Sequence, residues 1–353
     1  MTSYERIIKA VRHAQPDRTP IDYTATPESH AMLKRYLGID DDEMLLRRLG
    51  CDFRTVEARY VGPSDMTGAP GIRAEGKDYW GIIREPISNP FGTYYEISVH
   101  PLAEARTVRD IEQYDWPSLD WFDFSHLSEQ IDRFNRDERY CIVFFAGGAF
   151  ETPWYMRGLS RFLMDLVECP DIAEAICRHV TDFCKQRALR AIKQSEGKID
   201  LIFSNGDIGT QRGMMLAPDL WRRHIKPYSA ELIRTFKEMG LLTMYHSCGS
   251  IVPVIDDFID MGLDILDPVQ PNATGMDPAS LKNRFGDRLT FHGGIDEQHL
   301  LPYGSADDIQ RDVAATIDTL GRDGGYIICP AHAIQPDTPP ENIVALYDTA
   351  REQ

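Results

Sequence analysis

Short apolar runs alternate with amphipathic helical segments along most of this chain, and this alternation limits the choice of fold more than any other feature. The runs are rich in Val, Ile, Leu and aromatic residues, end in glycine or polar loops, and predict buried strands at 19–25, 51–58, 140–146, 200–204, 241–249, 264–270, 289–292 and 325–330. A helical pattern follows each run, which favours a closed parallel barrel over an open doubly wound sheet. No G-x-G-x-x-G dinucleotide fingerprint follows any of the runs. We therefore predict an α/β fold in which residues 1–353 form a single (β/α)8 TIM-barrel domain.

Two segments depart from this alternation. An N-terminal amphipathic helix is predicted over residues 4–14, ahead of the first strand. Residues 60–101 are rich in Gly, Pro and aromatic residues and alternate in polarity, which predicts an antiparallel β insertion after strand two. The simplest interpretation of this insertion is a peripheral hairpin without a function of its own. The alternatives are a lid and a homodimer contact.

Charge and composition exclude several classes of protein. The chain has 55 acidic and 38 basic residues and a net charge of -17, which disfavours a nucleic-acid partner because phosphate binding depends on Lys and Arg. Its seven cysteines are odd in number and irregularly spaced, unlike the disulfide framework of a small secreted domain. No apolar run approaches the length of a membrane span, and the N-terminus lacks the apolar core of a signal peptide. We expect a cytoplasmic protein that binds neither nucleic acid nor membrane.

The run at 241–249 ends in His246, Cys248 and Gly249. Residues two apart in an extended segment project to the same side, so the imidazole and the thiol share one space, as two ligands of a zinc ion would. The spacing alone is more typical of a core histidine beside an inert buried cysteine. The barrel prediction brings Cys329 and His332, after the last strand, to the same mouth as a third candidate ligand.

Other polar residues also follow the strands, and the carboxyl ends of barrel strands meet at one face. Asp207 and Glu151 are candidates for a displaceable fourth ligand or a proton acceptor, and His292 is a candidate for orienting the substrate. The candidate substrate-binding residues are Gln270, Asp296, Thr24 and Arg157. For Asp296 a helix-capping role, and for Gln270 a bond to a loop backbone, are the structural alternatives.

Four motifs carry a resemblance to a known family. They are Tyr245-His-Ser-Cys-Gly249, Gly262-Leu-Asp-Ile-Leu-Asp-Pro-Val-Gln270, Phe291-His-Gly-Gly-Ile-Asp296, and Gly324-Gly-Tyr-Ile-Ile-Cys-Pro-Ala-His332 followed by Pro339-Pro-Glu-Asn342. Between about residues 140 and 350 the chain resembles the uroporphyrinogen decarboxylase (URO-D) superfamily, and it is more similar to the corrinoid-linked methyltransferases of that superfamily than to the decarboxylase. The resemblance implies a single barrel enzyme that moves a methyl group between a corrinoid (methylcobalamin), usually carried by a separate small protein, and a small molecule.

The same resemblance implies a zinc site. In the methyltransferase branch a His-x-Cys pair and a later Cys bind zinc, which activates a thiol, and His246 and Cys248 match that pair. The family's Pro-Gly-Cys falls on Pro330-Ala331-His332, which leaves Cys329 three positions early, and we favour His332 as the third ligand. A neutral imidazole in place of a thiolate leaves more positive charge on the ion and favours Lewis-acid polarisation, so the substrate could bind through an oxygen.

Two alternatives remain open. Porphyrinogen decarboxylation needs an Arg-rich N-terminal motif, but after Arg18-Thr-Pro-Ile21 the chain continues Asp-Tyr-Thr-Ala-Thr, with no arginine until Arg35. Arg157 offers one cation elsewhere, which is few for a substrate with several carboxylates. Decarboxylation of a porphyrinogen or another carboxylate is therefore the runner-up. A non-catalytic barrel that binds a tetrapyrrole or a corrinoid is the second alternative.

Overall fold

The computed structural model describes residues 1–68, 75–89 and 92–353, and in these ranges its main sheet has seven parallel strands. In chain order they are β1 (Phe53–Val56), β2 (Cys141–Phe145), β3 (Leu201–Asn205), β4 (Leu242–His246), β5 (Ile265–Val269), β6 (Thr290–Ile295) and β7 (Tyr326–Pro330). Each strand pairs in parallel with the next one in the chain. The predicted α/β fold with a parallel sheet is confirmed, and the seven strands correspond to seven of the eight apolar runs.

The remaining run, 19–25, contributes isolated bridges instead of a regular strand. Ile21 bridges Ile328 of β7 in parallel, and the Asp22 N–H donates to the Ile328 carbonyl over 3.0 Å. On the other side, the Asp52 N–H donates to the Ile21 carbonyl over 2.9 Å, immediately before β1. This segment therefore connects the first and last strands of the curled sheet. Pro20 has no N–H to donate, which limits the regularity of the ladder here.

Helices separate the strands of the sheet. Within the described ranges they are Ser3–Val11, Pro27–Leu37, Asp42–Leu49, Val108–Glu112, Leu127–Phe134, Glu151–Arg157, Leu159–Glu168, Pro170–Gln194, Pro218–His224, Lys226–Glu238, Ile255–Met261, Pro278–Phe285, Leu300–Tyr303, Ala306–Leu320 and Pro340–Glu352. None of these helices is both long enough and apolar enough to span a membrane.

The first helix closes the end of the sheet where the strands begin. It covers Ser3–Val11, inside the predicted 4–14, and starts at a capping box formed by Thr2 and Glu5. Ile7 is fully buried in a cluster that includes the first residues of several strands, such as Phe53 and Cys141. Apolar packing thus fills much of the amino-terminal end, and the candidate ligands His246, Cys248 and His332 lie at the carboxyl ends.

An antiparallel sheet follows β1 in the chain. Its strands are Gly76–Lys77, Ile83–Asn89 and Gly92–Val99, while Arg59–Tyr60 pairs separately with Phe122–Asp123. The predicted insertion, 60–101, also includes residues 69–74 and 90–91, which lie outside the described residues. The Tyr94 hydroxyl donates to Gln335 Oε1 over 3.1 Å, so this sheet reaches the segment that follows β7.

Candidate metal centre

Three side chains from the carboxyl ends of β4 and β7 come together. His246 is the last residue of β4, Cys248 follows two residues later, and His332 follows β7. The Cys248 Sγ lies 3.3 Å from His246 Nε2, and the candidate ligand atoms of all three residues lie within 4.8 Å of one another. All three side chains are half-buried. The structure therefore assembles an imidazole–thiol–imidazole group, which we call the mouth cluster.

The loop that carries Cys248 is fixed by its neighbours. The Cys248 N–H donates to Asp207 Oδ1 over 2.7 Å, and the Gly249 N–H donates to Gln270 Oε1 over 2.6 Å. Gly249 has a φ of 79°, and a Cβ there would lie 2.6 Å from the Thr210 carbonyl oxygen. Only glycine fits both the conformation and the space. The thiol is thus held by backbone contacts to the segments after β3 and β5.

Asp267 of β5 orients the imidazole of His246. The two residues are aligned in the β4–β5 register, and Asp267 Oδ2 lies 2.5 Å from His246 Nδ1. Its other oxygen lies 2.6 Å from His292 Nδ1. Because Nδ1 of His246 is bonded to Asp267, its Nε2 faces Cys248. Metal-binding histidines are commonly supported in this way, by a carboxylate on the nitrogen that does not bind the metal.

The charges of this group stabilise one another. Burial disfavours the charged forms of His246 and Asp267, but the attraction between them outweighs it and raises the pKa of His246 well above its ordinary value. Attraction to His292 and His246 likewise outweighs burial for Asp267 and lowers its pKa below the usual carboxyl range. Asp267 is therefore ionised at neutral pH and available to both imidazoles.

Two further carboxylates lie beside the mouth cluster, as the strand-end positions of Asp207 and Glu151 predict. Asp207 Oδ1 is 3.5 Å from His246 Nε2 and accepts the Cys248 N–H, but Asp207 is not part of the group of ligand atoms that lie within 4.8 Å of one another. Glu151 is buried and accepts hydrogen bonds from the Tyr155 hydroxyl, over 2.9 Å, and from the Asn205 amide. Burial and the negative charge of Asp207 raise the pKa of Glu151 to about 7. Glu151 can therefore take up or release a proton near neutral pH.

Cys329 lies in a different group from the mouth cluster. It is buried on β7, and its Sγ lies near His292 and Asp22, with the three ligand atoms within 4.8 Å of one another. Burial raises the pKa of the Cys329 thiol to about 12, although the neighbouring His292 opposes this rise. Of the two residues that the sequence offers as third ligand, the geometry groups His332, and not Cys329, with His246 and Cys248.

The candidate substrate-binding residues are largely engaged within the fold. Gln270 is buried and supports the loop through Gly249, and its Nε2 lies 3.6 Å from Cys248 Sγ. Asp296 Oδ1 accepts the N–H groups of Gln298 and His299, which is a local turn bond. The Thr24 carbonyl accepts the Ile334 N–H over 3.1 Å. For Gln270 and Asp296 these contacts correspond to the structural alternatives that the sequence left open, whereas the Thr24 contact involves only its backbone.

Arg157 is buried and paired within the fold. Its side chain is 1% exposed, its Nε donates to Asp165 over 2.7 Å, and its Nη1 donates to the carbonyl of Ala105 over 2.8 Å. A guanidinium with these partners is committed to packing the helix Glu151–Arg157 against the preceding loop. These contacts give Arg157 a structural role, and its contact with the substrate stays a prediction.

The sequence did not single out Asp22 and Asp267, although both lie in the middle of apolar runs. The sequence signal for such residues is a carboxylate inside a predicted strand. A residue there is expected to be buried, and a buried charge needs a partner. Its partner cannot be named from sequence without the register of the neighbouring strand.

Comparisons with known proteins give the family. The sequence model of the family described as uroporphyrinogen decarboxylase (URO-D) matches residues 95–353. The uroporphyrinogen decarboxylase of Syntrophotalea carbinolica is 25% identical over 222 residues, which cover 60% of this chain and 60% of that protein. The methylcobamide:CoM methyltransferase MtaA of Methanosarcina barkeri is 27% identical over 140 residues, covering 39% of this chain and 38% of that protein. The chain thus spans less than two thirds of the length of the curated relatives it matches.

A solved methyltransferase from Methanosarcina mazei shares the fold. It aligns with a TM-score of 0.72 and 17% sequence identity over 100% of this chain and 99% of that one. Because the family match covers most of the chain, including β2 to β7 and the mouth cluster, it confirms the family indicated by the sequence motifs. The chain belongs to the uroporphyrinogen decarboxylase (URO-D) family, within a superfamily that also includes corrinoid methyltransferases.

Proposed function

We propose that this protein is a zinc-dependent methyltransferase that moves a methyl group between a corrinoid on a partner protein, such as methylcobalamin, and a small-molecule acceptor or donor. The mouth cluster of His246, Cys248 and His332, with Asp267 behind it, is the observation that carries the proposal. The similarity to a methylcobamide:CoM methyltransferase supports it.

The mouth cluster fits zinc chemically. Catalytic zinc takes three protein ligands from Cys, His and carboxylates and keeps one position for water or substrate. Metal–ligand bonds of about 2.0–2.3 Å place the ligand atoms of a tetrahedral site roughly 3.5 Å apart. The separation of 3.3 Å between Cys248 Sγ and His246 Nε2 agrees with that geometry. When bound, zinc would supply a Lewis acid that makes the substrate heteroatom more acidic.

The side chains around the mouth cluster would position its ligands and transfer a proton. Asp267 fixes the orientation of His246, while Asp207 and Gln270 hold the loop that presents Cys248. Glu151, with a pKa of about 7, is suited to accept a proton from the acceptor molecule. His292 contacts Asp267 through Nδ1 and Asp22 through Nε2, so the Asp267 carboxylate links it to the mouth cluster.

The charge of the three ligands also affects which methyl acceptors the metal could activate. One thiolate and two neutral imidazoles neutralise less of the charge of a divalent ion than two thiolates would. The remaining positive charge strengthens the polarisation of the group in the open position and suits an oxygen donor as well as a thiol. We therefore include alcohols and phenols, beside thiols, among the acceptors to be tested.

Decarboxylation of a porphyrinogen is the second candidate, because several curated relatives carry the name uroporphyrinogen decarboxylase. The arginines considered for that reaction are engaged elsewhere. Arg18 pairs with Asp52 over 2.8 Å beside the start of β1, and Arg157 pairs with Asp165. A polycarboxylate would therefore lack both of these cations. A barrel that binds a tetrapyrrole or a corrinoid without catalysis is the remaining alternative.

The test compares the reactions in one preparation. Zinc-loaded protein is incubated with methylcobalamin and either a thiol or a phenol, and loss of the methylcobalamin absorbance is followed. A parallel assay measures coproporphyrinogen formed from uroporphyrinogen. We expect zinc-dependent demethylation and no decarboxylation. Decarboxylation that is unaffected by zinc removal would overturn the proposal, and inactivity in both assays with retained tetrapyrrole binding would favour the non-catalytic barrel.

Two variants tie the activity to the mouth cluster. Cys248→Ala removes the thiol ligand and is expected to reduce methyl transfer to background. Cys177→Ala removes a fully buried thiol in the helix Pro170–Gln194 and should leave it unchanged. Full activity in Cys248→Ala would eliminate the proposed ligand set.

A further inference from the structure

A second group of potential ligands lies behind the mouth cluster. It consists of Asp22 from the segment between β7 and β1, His292 of β6 and Cys329 of β7, and we call it the inner cluster. Their ligand atoms lie within 4.8 Å of one another, and His292 Nε2 is 3.1 Å from Asp22 Oδ2. It shares no residue with the mouth cluster.

The two clusters repeat one arrangement around Asp267. One oxygen of Asp267 lies 2.5 Å from His246 Nδ1, and the other lies 2.6 Å from His292 Nδ1. Each imidazole therefore directs Nε2 to its own cluster, where it lies 3.3 Å from Cys248 Sγ or 3.1 Å from Asp22 Oδ2. A carboxylate on the far nitrogen is the usual support of a metal-binding histidine, and here it occurs twice.

We propose that Asp22, His292 and Cys329 form a second metal site, which takes a borderline divalent cation such as Zn²⁺. The donors are one carboxylate oxygen, one imidazole nitrogen and one sulfur, a mixture that suits zinc better than magnesium or calcium. Asp267 then supports a ligand of each site. This inference does not depend on the proposed function, because it concerns different ligands and no reaction.

Charge and burial distinguish the two sites. A carboxylate and a thiolate together balance a divalent ion, so the inner site is neutral when filled and is compatible with its buried position. His292 and Cys329 are almost fully buried, and the side chain of Asp22 is 24% exposed, which leaves access from the side of Asp22. The mouth site has a single anionic ligand and keeps a net positive charge. The inner site is therefore suited to a structural ion and the mouth site to a reactive one.

The experiment counts bound zinc. The purified full chain is loaded with zinc, passed through a desalting column, and analysed by elemental mass spectrometry. We expect about two equivalents in the wild type and about one in Cys329→Ala or in Cys248→Ala, because each variant loses one thiolate ligand. The double variant should bind almost none. Cys177→Ala, the buried-thiol control, should retain both ions.

Replacing zinc with cobalt gives an independent measurement of how many thiolates bind metal. Each site contributes one thiolate, so the thiolate-to-cobalt charge-transfer absorption should fall by about half in either single variant. If Cys329→Ala does not fold, Asp22→Asn replaces it, because Asp22 is partly exposed and its loss should also remove one ion. One equivalent of zinc in the wild type that Cys329→Ala retains, or two in folded Asp22→Asn, would overturn the proposal. Full zinc in Cys248→Ala with loss in Cys329→Ala would uphold the inner site and eliminate the mouth ligand set.

Discussion

Asp267 accepts a hydrogen bond on each of its carboxylate oxygens, and the two donors, His246 and His292, belong to different clusters. The sequence predicts the His246–Cys248 pair because a spacing of two in a strand places both side chains on one side. It does not predict their partner, because Asp267 is 21 residues away and meets His246 only through the parallel register of β4 and β5. Which of His332 and Cys329 joins this pair depends on the conformation of the loop after β7, and hydrophobic periodicity does not predict loop conformation.

Replacing Asp267 with asparagine tests its positioning role. The amide can accept from one imidazole, but its NH₂ group cannot accept from the other. We expect the affinity of the mouth cluster for zinc to fall about 10–100-fold, as for other carboxylates that support a metal-binding histidine. Competition with a chromophoric zinc chelator measures this loss.

Asp264→Asn is the matched control for that substitution. Asp264 precedes the same strand at its amino-terminal end, where it bonds to Thr243 and Lys237, away from the clusters. Its replacement should leave zinc affinity unchanged. If Asp267→Asn binds zinc as tightly as Asp264→Asn does, the carboxylate does not position His246.

At the scale of elements, apolar periodicity locates the strands well and the ends of helices less well. The apolar spacing over 218–239 predicts one helix, but the structure has Pro218–His224 and Lys226–Glu238, separated at Ile225. Pro227 lacks the N–H that would continue the hydrogen bonding across this point. The sequence also predicts one helix at about 152–167, which the structure divides at Gly158, whose φ is 88°. The apolar pattern runs on through both breaks, so it does not reveal them.

The antiparallel sheet offers a prediction at this scale. Asp78 and Arg84 form a buried ion pair of 2.7 Å, and Asp78 also accepts the N–H groups of Trp80 and Ile82. Asp78→Ala would leave the guanidinium buried without its partner. We expect the free energy of unfolding to fall by about 3–5 kcal/mol. A urea titration followed by tryptophan fluorescence measures it, since Trp80 is buried nearby.

An exposed pair in the same region serves as the control. Lys77 and Asp65 lie 3.6 Å apart, and their side chains are 38% and 70% exposed. Asp65→Ala should change the free energy of unfolding by less than about 1 kcal/mol, as is usual for surface ion pairs. Equal effects of the two substitutions would mean that the Asp78–Arg84 pair does not anchor the sheet.

For the whole molecule, the sequence predicts a closed parallel barrel with a strand at 19–25, but not the side-chain contacts that join this segment to the start of β1. That junction depends on Asp52, which is fully buried and accepts from Arg6 over 2.5 Å, from Arg18 over 2.8 Å and from the Ile21 N–H over 2.8 Å. One carboxylate thus joins the first helix, the bridging segment and the start of β1. The partners lie 31 to 46 residues from Asp52 in the sequence, and no local pattern relates them.

Substituting Asp52 tests whether this junction stabilises the molecule, and Asp17 provides a control on the same arginine. Asp52→Asn leaves two guanidinium groups around a neutral amide, so we expect the free energy of unfolding to fall by about 3–5 kcal/mol in a denaturant titration. Asp17 also pairs with Arg6, over 2.7 Å, but is 41% exposed, so Asp17→Asn should cost less than about 1 kcal/mol at neutral pH. The hydrogen bond from Arg6 lowers the pKa of Asp17 to about 2 from 3.8, so its small contribution is complete above pH 3.8 and is lost as the pH falls toward 2. The difference between Asp17→Asn and the wild type should therefore shrink over that interval. If Asp52→Asn is no less stable than Asp17→Asn at neutral pH, the closure of the sheet does not depend on the buried carboxylate.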